Sequence, residues 1–412
     1  MKDLLGISCG LDVHKEKIVA CILTGPLGKP THSEIREFST LIPDMIALRD
    51  WIVSQNCHHV AMESTGIYWM PIYEILEDAF SGDITLLVVN ARHMKNVPGK
   101  KTDMRDSEWI STLLRAGLLN GSFIPEKRIR EFRDLNRYRK SIIRDITSQK
   151  NRIEEFLQSS GFRLSSFISD TFGATGRNII LYLMEYGQID RTALDSCLKT
   201  RTRNRIDEIL MSVNGTLSEH QKAFLKILMN HYDSLKEHLN EIEKDLKQDM
   251  EPFTLQVEQL NSIYGISNTA SCAIIAEIGV DMKPFKTAEH ICPWAGLCPG
   301  NNESAGKRKS TSVTKGNPYI KSMLCEIAWV IAGKRNTYLS AWYWRIKQKK
   351  GAKKAIVALA RKLLVIIYTM LKQGTLFDES CFEVRRKSCE QKQLSHYIRE
   401  LEKHGYHVET QS

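Results

Sequence analysis

Four acids in this sequence have the types and spacing to do chemistry. Asp12 ends the apolar run 4–11 and Glu63 ends the short apolar run 59–62, while Asp103 and Asp106 lie three apart where a helical stretch begins. Residues three apart on a helix face the same way, so a strand-end Asp, a strand-end Glu and a helical D-x-x-D can converge on one point. Gathered carboxylates repel one another unless a divalent cation lies between them, and an all-oxygen donor set favours Mg²⁺ or Mn²⁺. Two such ions roughly 4 Å apart clamp the attacking and leaving oxygens of a phosphodiester. Taken singly, Asp103 reads as an N-terminal helix charge and a strand-end acid means little; the four in this order favour a metal site. Arg92, Lys95, Lys100 and Lys101 directly precede Asp103, placed to hold a phosphate backbone.

A second candidate lies far along the chain. Residues 296–317 form a small-residue, cationic loop that holds Ser304, Lys307, Arg308, Lys309 and Lys315. Ser304 is either a spectator in a phosphate-binding loop or a nucleophile whose neighbouring cations stabilise a charged phosphorane. No His–Asp pair accompanies it, and spacing alone leaves both open, with the plainer reading favoured. Between Glu326 and Asp378 there are eleven Lys/Arg and no acid, Lys349, Lys350, Lys353 and Lys354 among them. Trp329, Tyr338, Trp342, Tyr343 and Trp344 are interleaved with these cations. Basic helices with aromatic faces suit nucleic-acid backbone and base contacts, although Trp329 lies on an apolar helix and is expected in the core. The Arg-rich segment 127–152, with Arg137 and Arg139, reads as a further phosphate-contacting surface.

These residues need elements to hold them. Runs 4–11, 17–23 and 33–39 are β-like, with a turn signal at Gly25-Pro26-Leu27-Gly28; Pro43-Asp44 opens a helix, 59–62 is a strand, a helix runs from Gly66 to about Glu77, and 84–89 is a buried strand. Three strands followed by alternating helix and strand predict an α/β domain with a mixed sheet. From Asp103 onward the chain reads as helical. Ile142, Ile146, Ile153 and Phe156 on one stretch, and Leu228, Tyr232, Leu235, Leu239, Ile242 and Leu246 on another, have heptad-like spacing; the two predict amphipathic helices that pair within or between chains. The block 160–217 between them is poorly patterned. Residues 259–279 read as two short helices around Gly265, either a helix-hairpin-helix that approaches phosphates or an ordinary αα-turn. The expected domains are 1–125, a helical linker 126–257 with the insertion 160–217, a helical domain 258–375, and a tail 376–412.

Composition narrows the class. The chain has 412 residues, 42% hydrophobic and 26% charged, enough to bury real cores and too apolar for wholesale disorder. The longest apolar run, Leu363 to Met370, is far short of a bilayer span, and no secretory signal is visible. Ten cysteines include no C-x-x-C pair, which disfavours a zinc ribbon. They read as reduced cytosolic thiols, and Cys57-His58-His59 reads as a strand start in preference to a metal cluster. Residues 1–125 carry 12 Lys/Arg against 15 Asp/Glu, so the rest of this +10 chain carries +13. An acidic first domain joined to a basic remainder suggests that one part holds a polyanion and another works on it.

Several of these segments resemble a known family. G-L-D-V-H-K around Asp12, M-E-S-T-G around Glu63, K-T-D-x-x-D around Asp103 and Asp106, and R-Y-R at Arg137 to Arg139 resemble the N-terminal half of the insertion-sequence "IS-one-ten" DEDD transposases. W-A-G-L-C-P-G-N-N-E-S-A-G-K-R and T-K-G-N-P-Y resemble their C-terminal domain, and the similarity covers roughly residues 4–158 and 258–372. The resemblance implies a RuvC-like (RNase H) domain, a coiled-coil linker and a mostly helical C-terminal domain. It implies recombination of donor and target DNA by a prokaryotic, nucleoid-associated homo-oligomer, dimer or tetramer, guided by a structured bridge RNA. It further implies that the acids hold Mg²⁺ (or Mn²⁺) and that Ser304 becomes covalently linked to DNA phosphate. Glu303-Ser304-Ala305-Gly306 departs from the two serines and two glycines of many members, which leaves Ser304 the one serine at that position, and Thr311 stands where glycine is frequent.

The expectation is thus an α/β-plus-α, Mg²⁺-dependent, serine-using DNA recombinase. Its rivals are a two-metal nuclease of the Holliday-junction resolvase type, in which water attacks, and a nucleic-acid-binding protein with a degenerate RNase H fold. The intact acids argue against the last.

Overall fold

The computed structural model describes residues 4–80, 84–90, 106–300, 302–304, 307–310 and 312–405. The chain divides after Ile124 into two compact units.

The first unit is built on strands β1 (Ile7–Val13), β2 (Lys17–Thr24), β3 (His32–Ser39), β4 (His59–Glu63) and β5 (Thr85–Val89). Their order is β3-β2-β1-β4-β5, with β1–β2 and β2–β3 antiparallel and β1–β4 and β4–β5 parallel. The connections dictate this. A three-residue turn joins β1 to β2, and Gly25 and Gly28, both at positive φ, reverse the chain before β3; the parallel partners require crossovers, which α1 (Ile42–Ser54) and α2 (Trp69–Phe80) provide. Met45, Leu48, Trp51 and Ile52 of α1 and Ile72, Tyr73 and Leu76 of α2 bury against Cys9, Leu11, Val13, Val60 and Met62. Helix α3 (Asp106–Arg115) packs with Ala61 and Val89 through Trp109, Ile110, Leu113 and Leu114. Covering on both faces explains why β1 and β4 are buried at nearly every central position, Ser8 and Gly10 included. The edge strand β3 carries Glu34, Arg36 and Glu37 instead, a composition that discourages further pairing.

In the second unit, α4 (Lys127–Ser159) and α10 (Glu219–Met250) run antiparallel. Ile142, Ile146, Ile153 and Leu157 of α4, and Leu225, Met229, Tyr232, Leu235, Leu239, Ile242 and Leu246 of α10, are buried. The two heptad-like stretches therefore pair within the chain. Gln149 sits in this seam, and its amide donates to the Leu228 carbonyl at 2.8 Å. A capping box at Ser218 and Gln221 starts α10.

The unpatterned block 160–217 folds into α5 (Leu164–Phe167), α6 (Ala174–Tyr186), α7 (Arg191–Cys197), α8 (Thr200–Arg203) and α9 (Ile206–Ser212). Most are too short to show a helical period. Arg177 pins α6 to α10 through a bidentate pair with Asp233 at 2.6 and 2.8 Å.

Helices α11 (Thr254–Asn261), α12 (Asn268–Ile278), α13 (Ala288–Trp294), α14 (Pro318–Gly333), α15 (Tyr338–Lys350), α16 (Ala352–Gln373) and α17 (Ser380–Lys403) complete the unit, with a small ribbon of β6 (Asn302–Ser304) and β7 (Lys307–Ser310). The α11–α12 turn holds Gly265 at φ 92°, where an added Cβ would meet Ile331 and Val330 of α14 at 3.2 and 3.3 Å. Packing on α14 accounts for this glycine, which favours the αα-turn. One expectation is overturned: Trp329 is 55% exposed. The core face of α14 is Ile320, Leu324, Ile327, Ala328 and Ile331, and Trp329 lies off that stripe.

Candidate functional site

Three contacts fix the register between α3 and β1. Arg115 donates to the Gly6 carbonyl at 2.7 Å, Ser111 and Ser8 share hydroxyl bonds at 2.9 Å, and a Cβ on Gly10 would lie 2.1 Å from the Ser107 carbonyl oxygen. Each step of four helical residues matches two strand residues because about 6 Å of helix equals about two strand rises. Gly10 is required for this approach; any side chain there would push the helix off the sheet. Ser8, Gly10 and Asp12 share a face, so Asp12 comes just past the helix start at Asp106.

Glu63 joins Asp12 from the adjacent strand. The parallel register pairs Gly10 with Ala61 and Leu11 with Met62, so its continuation sets Asp12 beside Glu63 on the α3 face, at the carboxyl ends of both strands. Carboxyl ends of parallel strands are where open α/β sheets bind ligands, and the positive end of the α3 dipole favours negative charge there. The Asp12 side chain is 14% exposed, and its Oδ2 lies 3.1 Å from His14 Nε2. Thr65 Oγ1 donates to Glu63 Oε1 at 3.2 Å. Neither His14 nor Thr65 was singled out from sequence; His14 lies just past the end of β1, two residues after Asp12.

Asp106 is exposed at the first residue of α3. Asp103, Lys100, Lys101, Arg92 and Lys95 lie outside the described residues. Among the described residues no three His, Cys, Asp or Glu gather closely enough to hold a metal ion. Cys57 is buried and donates to the His59 carbonyl, and His58 bonds Asn56, consistent with a strand start.

Ser304 ends β6 and pairs with Lys307 across the ribbon. The segment expected as a flexible loop is therefore a hairpin with a braced base. Gly300 donates to the Ser312 carbonyl and Thr314 to that of Cys298, both at 2.9 Å, and Pro299 bridges Val313. Below these, Gly296 and Gly316 meet backbone to backbone: a Cβ on Gly316 would lie 2.2 Å from Gly296 N. The side chains of Ser304, Lys307, Arg308 and Lys309 fall outside the description; Lys315 is exposed.

Asn317 links this ribbon to the rest of the unit. It caps α14 by accepting from Tyr319 and Ile320, and its Nδ2 donates to Glu277 Oε2 at 2.6 Å. Glu277 on α12, with its side chain 2% exposed, also receives a bidentate pair from Arg137 at 2.8 and 2.7 Å. Arg133 approaches the same carboxylate and donates to the Ala276 and Glu277 carbonyls; burial pulls its guanidinium down to about 10. Arg139 donates to Glu243 at 2.6 Å. Arg137, expected to hold phosphate, is thus engaged by a buried carboxylate, and Arg139 by the exposed Glu243. The signal available in sequence was Glu277 itself, the one charged residue of α12.

Lys349 and Lys350 end α15, and Lys353 and Lys354 open α16 across Gly351; all four are exposed. Nearby rings are already faced by cations: Arg335 and Lys347 on Trp344 at 3.9 and 4.1 Å, and Lys334 on Tyr264 at 3.7 Å. Among the described residues no helix is long and apolar enough to cross a membrane.

Comparison with known proteins matches both segments. Residues 9–161 match the DEDD transposase model of the IS110 type, and residues 257–344 match the transposase model of the IS116/IS110/IS902 family. The chain is 20% identical over 183 residues to the "Probable family 20 transposase" of Pseudomonas aeruginosa, covering 43% of this chain and 54% of that protein. It is 31% identical over 127 residues to the "Pilin gene-inverting protein" of Moraxella bovis, covering 30% and 39%. To the "Transposase for insertion sequence element IS1111A" of Coxiella burnetii it is 24% identical over 167 residues, covering 40% and 45%. The chain spans about half the length, or less, of these relatives. Two family models matching in order, one over the strand-end acids and one over the serine ribbon, place this chain in the IS110/IS116/IS902 family of transposases.

Proposed function

We propose that this chain is the DNA transposase and recombinase of an insertion sequence, exchanging strands by Mg²⁺-dependent phosphoryl transfer with Ser304 as nucleophile and a structured RNA as guide. The observation that carries the reading is the placement of Asp12 and Glu63 at neighbouring carboxyl strand ends beside the start of α3. That arrangement in a mixed sheet also supports the RuvC-like fold implied by the resemblance. A relative that inverts a pilin gene, by its name, supports recombination as the outcome.

The donor set fits a hard divalent cation: two carboxylates on adjacent strands, one face, one edge. Asp12 and Glu63, with Asp103 and Asp106, would hold it, while His14 and Thr65 orient the first two. Bound there, the metal would supply charge neutralisation and polarisation of the scissile phosphate. Ser304 Oγ gives up its proton and bonds to phosphorus, and the bridging oxygen leaves with the cut strand end and takes up a proton. A hydroxyl from the exchanged strand then attacks the same phosphorus, losing its proton, and Ser304 leaves and is reprotonated. Lys307, Arg308 and Lys309 neutralise charge developing on the phosphorane.

The test is a labelled DNA substrate incubated with protein, guide RNA and Mg²⁺, then resolved under denaturing conditions. A covalent protein–DNA adduct is expected for wild type and is lost in Ser304→Ala, which still binds nucleic acid. Normal cleavage by Ser304→Ala would overturn the serine mechanism in favour of water attack.

A further inference from the structure

We propose that Asn317 is a positioning residue for Ser304, locking the base of the serine ribbon to the buried Glu277 and so fixing where the nucleophile is presented. This rests on Ser304 being the nucleophile, as proposed above, and deepens that reading by naming what aims it. Asn317 uses three polar groups at once. Its backbone N–H donates to the Trp294 carbonyl at 2.9 Å, which closes the two legs of the ribbon on each other. Its Oδ1 accepts from the Tyr319 and Ile320 amides at 2.9 and 3.3 Å and so caps α14. With the oxygen committed to those two donors, the side-chain nitrogen is the group left for Glu277, and it donates to Oε2 at 2.6 Å. Glu277 is in turn held by Arg137 through both oxygens, and the Arg137 guanidinium lies 4.2 Å from the centre of the Tyr319 ring.

A helix cap alone does not call for asparagine here. Serine or aspartate caps as well, but serine ends one bond short of Glu277, and aspartate would set a second carboxylate against a buried one. Asparagine meets both demands. Beside it, Gly316 and Gly296 touch backbone to backbone, and the Thr314–Cys298 and Gly300–Ser312 hydrogen bonds hold the legs together. The ribbon therefore moves with its base. Lys307, opposite Ser304, and Gly316 bound one leg. At about 3.3 Å per residue that leg reaches up to about 30 Å, so a tilt of about 2° at the base becomes about 1 Å at its far end. A misplacement of roughly 1 Å at a reacting atom can cost about 100-fold in rate.

The test compares Asn317→Ser, Asn317→Asp and the double variant Asn317→Asp/Glu277→Gln in the full chain. The double variant reverses the hydrogen bond, an amide at 277 donating to a carboxylate at 317, and keeps one negative charge beside Arg137. Single-turnover formation of the serine–DNA adduct is measured at saturating labelled DNA, under the conditions of the adduct assay above. DNA affinity and the exchange of the Gly300 and Thr314 amides in D₂O are measured beside it. Asn317→Ser and Asn317→Asp should slow adduct formation about 100-fold, with affinity unchanged and amide exchange faster, and the double variant should recover most of the rate. A wild-type rate in Asn317→Ser, a rate loss matched by lost affinity, or a double variant as slow as Asn317→Asp would overturn the positioning role. If wild type forms the adduct and the variants match it, this inference alone fails; if wild type forms none, the serine reading fails and this inference with it.

Discussion

Asp12 and Glu277 are both carboxylates largely withdrawn from solvent, one in each unit, and they are neutralised very differently. Glu277 sits among Arg133, Arg137 and Asn317 with its charge fully answered by the protein. Asp12 stands beside a second acid, Glu63, with one histidine and a helix start in attendance. A carboxylate whose partners are supplied by the fold holds the fold together; one set next to another acid is left for something that binds. The first arrangement joins α4, α12 and α14 beneath the serine ribbon. On the proposed reading, the second sets like charges together for a bound cation to neutralise.

The largest effects should separate the two acids. Asp12→Ala is expected to reduce Mg²⁺-dependent cleavage to background while the thermal midpoint of metal-free protein stays equal or rises, because a repulsion has been removed. Glu277→Ala should do the reverse to stability, costing about 3 kcal/mol by leaving two part-buried guanidinium groups uncompensated. Calorimetry of both variants without metal checks the pair; equal destabilisation would erase the distinction.

Gly10→Ala comes next. A methyl group 2.1 Å from the Ser107 carbonyl and 2.5 Å from Ser111 N must displace α3, at a cost of about 3 kcal/mol. Because that displacement moves the helix start away from Asp12, cleavage should fall even at temperatures where the variant remains folded. Retained activity in a destabilised Gly10→Ala protein would show that α3 does not complete the site.

Replacing Lys349, Lys350, Lys353 and Lys354 by Gln should leave stability unchanged and flatten the plot of log affinity against log salt, by up to about 0.9 for each lysine that touches a phosphate. An unchanged slope would assign them to a solvated helix surface.

The smallest effect is alkaline. Burial pushes the Cys21 and Cys57 thiols up to about 11 and Cys272 up to about 12. These thiols ionise near pH 9 in the unfolded chain and later in the folded one. Their contribution is therefore fully present below pH 9 and is lost as pH rises from 9 toward 11, by at most about 1.4 kcal/mol per pH unit and thiol. Urea unfolding at pH 8 and pH 10 measures it, and alkylation at pH 8 should require unfolding.

Local pattern alone determined a good deal here. Four apolar runs and one mixed run, bounded by turn signals, marked the five strands and their order in sequence, and Asp12 and Glu63 stand at the ends of two of the apolar runs. Heptad spacing marked α4 and α10 because a repeating apolar stripe is written along the chain itself. What spacing does not carry is the partner of a side chain. Arg137 and Arg139 look like free cations until α12 and α10, more than a hundred residues on, supply Glu277 and Glu243. Trp329 lies on an apolar helix, yet which side of α14 faces inward was decided by what packs against it. The short helices of 160–217 bury too few turns to show a period; they pack on one another, and Arg177 seats α6 on α10 through Asp233. The adjacency of Asp12 to Glu63 was likewise settled in three dimensions: strand order and parallel register bring them side by side, and the missing side chain at Gly10 lets α3 close over them.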